Sequence, residues 1–162
     1  MTLKSSLPSR PKSTEEVIAR YGSLKFSSDL GLHWPEAPKY IQPLQVPTGI
    51  VLKYGEKPVY RIFCNKDMHP ALSEAFKNTF DNGSYREFKT FDGCFNVRWV
   101  RGVPGSPSLH SWGLALDFNA RDNPLGGSSS WSGAFVDSFK SAGFIWGGEF
   151  SRPDAMHFQW VG

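Results

Sequence analysis

The sequence predicts an α+β fold, a small antiparallel sheet with flanking helices. Three observations carry that reading. Over residues 114–119, large apolar residues alternate with Ala115, Asp117 and Asn119, the period of a half-buried strand with Asp117 turned away from Leu116 and Phe118. Residues 156–160 repeat the pattern, with His157 and Gln159 on one face and Met156, Phe158 and Trp160 on the other. Two other stretches carry apolar residues at helical spacing: Leu72, Ala75, Phe76 and Phe80, then Trp131, Phe135 and Phe139.

A chain of 162 residues is enough for one domain, 1–162, whose core needs no disulfide staples. The 13 Phe and six Trp suit a compact mixed fold with an aromatic-lined cleft. Cys64 and Cys94 fit neither a zinc ribbon nor a redox Cys-x-x-Cys pair, and both have apolar neighbours. Buried free thiols in a reduced compartment are favoured over a bridge. The net charge of +3 is spread without a Lys/Arg block, which suits an anionic partner such as a cell wall and argues against nucleic acid. Residues 1–11 lack an apolar signal-peptide core, and no membrane-length apolar run follows. The expectation is a chain made in the cytoplasm without a signal peptide, with no stable membrane association, and released by other means if it acts outside.

Residues 1–22 read as an extended Pro- and Ser-rich arm and a short helix. Ser13 and Glu16 form a capping box that opens the helix, Val17, Ile18 and Tyr21 line it, and Gly22 stops it. From 23 to 55, Pro, Gly and scattered aromatics predict loops and short strands wrapping the domain. His33 lies there with no neighbouring ligand and reads as structural. Residues 59–64 form a strand, 65–67 a polar turn, and Pro70 sits in the first turn of a helix that ends at Asn82 and Gly83. His69, directly before Pro70, takes a capping or loop role.

Residues 95–101 alternate as another strand, with Val97, Trp99 and Arg101 on one side and Asn96, Arg98 and Val100 on the other. Residues 102–107 are expected to form a rigid turn. The run 121–130 reads as a loop and N-cap before the helix of Trp131, Phe135 and Phe139, which stops at Gly143. Residues 144–146 start the last strand region, Gly147 and Gly148 then permit a tight turn, and Arg152 and Pro153 lead into the strand of Asp154 and His157. No internal repeat or second domain is evident.

The chemistry concentrates in 108–117 and 154–157, which together offer two imidazoles and two carboxylates. The two predicted strands would aim Asp117 and His157 into one cleft, with His110 entering from the loop before the first. Two His and one carboxylate are a sufficient protein ligand set for a catalytic zinc that keeps an open position. Asp154, three residues before His157, would stand beside it as a general base. Each residue alone has a plainer role: His110 in a turn, His157 half-buried, the two Asp in a loop and a cap. The combination is what points to a metal, since the chain has only four histidines.

With both motifs in view, the chain resembles the M15 peptidases, the D-alanyl-D-alanine carboxypeptidase and L-alanyl-D-glutamate endopeptidase group. Their pattern is Ser-x-His, six residues, Asp, and later Asp/Glu-x-x-His. Ser108, His110, Asp117, Asp154 and His157 match it in order and spacing. Residues 113–115 and 146–148 look like the family's small-residue turns, and 93–102 like its arginine-bearing strand. The likeness covers roughly 59–160, the expected metal-binding core.

The resemblance implies a Hedgehog/DD-peptidase-like fold and Zn2+ on His110, Asp117 and His157. It implies Asp154 as general base and acid, and an upstream arginine on the oxyanion. Arg98 fits the expected spacing and is favoured for that role over Arg101, which lies on the opposite face of the strand, so that only one would enter the cleft. Ser108 is a candidate to bond the backbone or the substrate, and Trp112 and Trp146 are candidate cleft walls. The implied substrate is the peptidoglycan stem peptide, cut by a monomer. A phage or prophage lysin released through a holin is favoured, cleaving L-Ala–D-Glu, with D-Ala trimming as the alternative. Two rivals remain. An iron oxygenase shares the ligand types but usually spaces them His-x-Asp. A zinc-containing wall-binding module would keep the fold but has no use for Asp154.

Overall fold

In the computed structural model, which describes residues 7–162, Ser13 opens helix α1 (Thr14–Tyr21) by accepting the Glu16 N–H at 3.2 Å. Val17 and Tyr21 are buried, and Gly22 ends the helix at φ +86°. The reading of residues 1–6 as extended lies outside the described residues. The stretch expected to be loops and short strands holds hairpin β1 (Lys25–Ser27) and β2 (Gly31–His33), strand β3 (Ile41–Gln45) and strand β4 (Lys53–Tyr54), which pairs with β5 (Lys57–Pro58) just past its end. It also holds one helical turn, α2 (Ala37–Tyr40), too short for any periodicity to reveal.

Strand β6 (Arg61–Asn65) pairs antiparallel with β3, and the expected polar turn is a 3-10 turn, Lys66–Met68. Helix α3 (His69–Asn82) has Pro in its first turn and Gly83 at φ +83° as its C-cap. Next come β7 (Phe91–Gly93), β8 (Trp99–Val100), β9 (Val103–Pro107), β10 (Ala115–Phe118), α4 (Gly133–Ser141), β11 (Ile145–Trp146) and β12 (His157–Gln159). The fold is α+β. Its largest sheet has the order β11-β12-β10-β7, antiparallel throughout.

Three expectations are corrected. Residues 95–101 are not one strand, because their backbone is drawn to the following turn: Asn96 N–H donates to His110 O, and Ser108 N–H to Arg98 O, each at 3.0 Å. Residues 102–107 are not a turn, since β9 occupies most of them and pairs with β8. Trp131 precedes α4 rather than belonging to it. Ser132 is the N-cap, accepting the Phe135 N–H at 3.1 Å, and Trp131 stacks flat on Phe135 with centroids 3.9 Å apart.

Helix α4 covers the sheet with aromatic side chains. Phe139 meets Phe118 and Phe158 at centroid distances of 5.9 and 4.5 Å, and Phe88 bridges Phe76 of α3 to Phe118. Fully burying each such ring stabilises by about 1.5–3 kcal/mol. Val17, Tyr21 and Trp34 from the N-terminal third join the same core. Cys64 and Cys94 are buried free thiols. Among the described residues no helix is long and apolar enough to cross a membrane.

Candidate metal centre

Strands β10 and β12 run antiparallel in a register that sets Asp117 directly opposite His157. His110 arrives from a 3-10 turn, Leu109–Trp112, capped by Ser108, whose Oγ accepts the His110 N–H at 3.4 Å. Gly113 ends that turn at φ +64°, and a Cβ there would meet Ile41 Cδ1 at 2.6 Å and Asn65 N at 2.9 Å. Only glycine lets the turn lie this close to β6 and still swing His110 toward the sheet. One ligand atom each from His110, Asp117 and His157 lies within 4.8 Å of the others, and all three residues are buried.

The hydrogen bonds assign the imidazole tautomers. His110 Nδ1 lies 2.8 Å from Cys94 O, a pure acceptor, so Nδ1 carries the proton and Nε2 a lone pair. His157 Nε2 lies 2.9 Å from Gln159 Oε1, and the Gln159 amide is oriented by donating to Val161 O at 3.0 Å. His157 Nε2 is therefore the donor and Nδ1 holds the lone pair. Both lone pairs face the same carboxylate: His110 Nε2 is 3.2 Å from Asp117 Oδ2, and His157 Nδ1 is 3.2 Å from Asp117 Oδ1. Acceptors do not face acceptors in a buried site unless a cation or a proton lies between them. His110 Nε2 is buried with no hydrogen-bond partner. The donor set, the tautomers and this orphaned nitrogen fit a zinc ion.

The electrostatics agree with the geometry. Burial pushes the Asp117 carboxyl up, but in metal-free protein His110 and His157, which donate to it only when protonated, outweigh burial and hold the group well below the usual carboxylate range. Burial pushes the His157 imidazole down, and Asp117 more than offsets this, so its pKa is raised. Asp154 stands beside the trio with Oδ2 4.0 Å from His157 Nδ1, and its Oδ1 is buried without a partner. Burial raises its pKa against the pull of His157. Its N–H donates to Gly147 O at 2.8 Å, while His157 N–H donates to Asp154 O at 3.0 Å. Gly147 is needed for this closure, since a Cβ on it would collide with Asp154 O.

His110, Asp117, His157 and Asp154 line one cavity of about 500 Å³. Arg98 and Arg101 both line it too, correcting the expectation that only one could enter. With no regular strand over 95–101, opposite-face parity does not apply. Arg98 is half-buried, and burial and the neighbouring Arg101 push its pKa below the ordinary value. Its backbone is tied to the His110 turn through Ser111, whose Oγ accepts the Arg98 N–H at 3.1 Å. Arg101 is exposed at the hairpin turn.

Ser108 lines the cavity, and its Oγ accepts the His110 N–H of the cap. Trp112 does not wall the cavity: it is fully buried, and its indole N–H donates to Gly22 O at 2.9 Å. Trp146 is also outside the lining, with its N–H on Ala155 O at 2.8 Å and its ring over Gly148. Both tryptophans have apolar bodies that the core outcompetes the cleft for. His33 and His69 bond backbone carbonyls, Gly31 O at 2.9 Å and Gln42 O at 3.1 Å, away from the candidate site. Sequence reasoning missed Gln159 as the group that orients His157, although its place two residues along the same strand face was a usable signal. The Cys94 carbonyl left no signal, because its role needs no particular side chain. Arg152, Leu125 and Phe150 were also missed as cavity residues.

Residues 101–160 match an M15 peptidase family profile described as D-alanyl-D-alanine carboxypeptidase. The chain is also similar to the peptidoglycan L-alanyl-D-glutamate endopeptidase CwlK of Bacillus subtilis (strain 168). The two are 26% identical over 137 residues, covering 75% of this chain and 79% of that relative. No solved structure matches the chain.

Proposed function

We propose, on the premise that the chain belongs to the M15 peptidase family, that it is a zinc-dependent peptidoglycan peptidase cutting the L-Ala–D-Glu bond of the stem peptide. The observation that carries the zinc reading is the pair of imidazole lone pairs, each 3.2 Å from an oxygen of Asp117, with their other nitrogens committed to Cys94 O and Gln159 Oε1. Such outer partners fix metal-ligating tautomers. When bound, zinc lowers the pKa of water to roughly 7 and polarises a carbonyl as a Lewis acid.

The chain's own residues supply the rest. Asp154, its basicity raised by burial, takes the proton of the attacking water and passes it to the leaving amine. Arg98, half-buried in the same cavity, donates to the oxyanion that forms on the scissile carbonyl. One donor of this kind is worth roughly 3–4 kcal/mol in a water-excluded site. The position of Asp154 supports catalysis over a binding-module role.

The endopeptidase specificity is supported by the likeness to a curated L-alanyl-D-glutamate endopeptidase. D-Ala trimming is the second reading, favoured by the description of the matching family profile. Digestion of purified walls followed by mass spectrometry of the new termini separates the two. New L-Ala C-termini are expected, and free D-Ala without them would replace the first reading with the second. The proposal includes a Hedgehog/DD-peptidase-like fold acting as one monomeric domain over 1–162, and a place in phage or prophage lysis.

A further inference from the structure

Three guanidinium groups line the metal cavity: Arg98, Arg101 and Arg152. None of them forms an ion pair with a carboxylate among the described residues. The acids of the cavity face histidines instead. Asp117 is shared by two histidines, and Asp154 stands by His157. Arg98 is half-buried, whereas Arg101 and Arg152 are exposed and reach the cavity from different segments. Arg101 sits at the turn between β8 and β9, and Arg152 precedes Asp154 by two residues.

A hydrogen bond joins these two segments. Arg152 Nη2 donates to Arg101 O at 3.0 Å, and Arg152 Nη1 comes within 3.6 Å of where a Cβ on Gly102 would lie. That bond takes one of the five N–H donors of Arg152, and the Arg101 guanidinium has no protein hydrogen-bond partner among the described residues. Two cationic forks, one of them anchored, thus border one cavity with donors to spare. Planar guanidinium forks match a carboxylate in bidentate geometry.

We propose that Arg101 and Arg152 form a carboxylate-binding subsite at this cavity, which selects peptides with a free carboxylate beside the scissile bond over peptides with that group amidated. The inference rests on the peptidase reading above. Two sources supply the same chemistry. A glutamate linked through its side chain keeps its α-carboxylate free next to an L-Ala–D-Glu bond, and a peptide C-terminus offers the same group to a carboxypeptidase.

The test uses two pairs of synthetic stem peptides, each pair differing only in carboxylate against carboxamide. One pair carries the L-Ala–γ-D-Glu bond with the glutamate α-group varied, and the other ends in D-Ala–D-Ala with the C-terminus varied. kcat/KM is measured for the zinc-loaded wild type, Arg152→Gln, Arg152→Lys and Arg101→Gln. Binding of the same peptides is measured by calorimetry in an Asp154→Asn background.

The wild type should prefer the acid by about 10–100-fold, the worth of a hydrogen bond to a charged group. The ratio should fall to within about threefold in Arg152→Gln and Arg101→Gln, and survive in part in Arg152→Lys. A merely structural role for Arg152 would slow both members of a pair alike and leave the ratio intact. An unchanged ratio in both Gln variants, in rate and in Kd, overturns the subsite. If the L-Ala–D-Glu bond is cut equally in acid and amide forms, the endopeptidase reading stands and the subsite falls. If only the D-Ala–D-Ala pair is cut, with its acid form preferred, the subsite stands and the endopeptidase reading falls. If no peptide is cut, the ratio of Kd values decides the subsite.

Discussion

Asp117 Oδ1 and His157 Nδ1 lie 3.2 Å apart, on residues that are direct cross-strand partners of β10 and β12. The sheet register therefore brings together two members of the candidate metal site. A slip of one residue would turn Asp117 to the core face and Leu116 or Phe118 to the cavity. The same apolar alternation that secures the core, with Phe118 and Phe158 beneath α4, holds Asp117 and His157 in place.

The pH dependence follows from His157, whose pKa burial lowers but Asp117 raises overall. In metal-free protein the stabilising His157–Asp117 charge pair is fully present below the unfolded histidine value of about 6.5 and is lost as pH rises through the higher folded value. Zinc needs the neutral imidazole, so its binding strengthens as pH rises. The melting-temperature gap between zinc-loaded and chelator-treated protein should widen from roughly pH 5 to roughly pH 8. Melts over a pH series check this, and a gap independent of pH would contradict it.

Gln159 is a positioning residue that acts through His157 Nε2. Gln159→Leu should weaken zinc binding by about 10–100-fold, while Gln159→Glu, which keeps an acceptor, should retain most of the affinity. Competition against a chelator reads both. Equal losses in the two variants would assign Gln159 to packing.

At Gly147 an added methyl would collide with Asp154 O and come within 3.1 Å of His157 Cβ. Displacing a reacting group by about 1 Å can cost about 100-fold in rate. Gly147→Ala should lower kcat/KM on that scale with zinc still bound, as steady-state kinetics beside elemental analysis would show. Full activity in the variant would mean that the Asp154 segment tolerates the shift.

Phe139 touches Phe88, Phe118, Phe135, Phe144 and Phe158 and is fully buried. Phe139→Ala should cost about 3–5 kcal/mol of stability, read by urea unfolding. A loss under about 1 kcal/mol would show that the aromatic layer collapses around the cavity.

Legibility in the sequence tracked the range of the interactions. The strands carrying Asp117 and His157, the Ser13 cap and the helix after Pro70 are written in local alternation, capping and spacing, and the structure has all of them. The stretch around Arg98 was misread because its backbone partners, Ser108, His110 and Ser111, lie on a turn ten or so residues away, and alternation alone carries no sign of them. Trp131 had the right spacing for a helix, yet Ser132 offered a better cap and left the ring to stack from outside. The pairing of Asp117 with His157 was therefore readable. The Cys94 carbonyl that sets the His110 tautomer, and the approach of Arg152 to Arg101, arise only when the chain closes.

The central claim is that His110, Asp117 and His157 hold a zinc on which wall cleavage depends. Its most direct test is elemental analysis of the wild type and His157→Ala, with both assayed on purified cell walls. The account predicts about one zinc per wild-type chain together with cleavage, and loss of both in the variant. Wild-type protein that cleaves walls without zinc, or a His157→Ala protein that keeps its zinc in full, would contradict it.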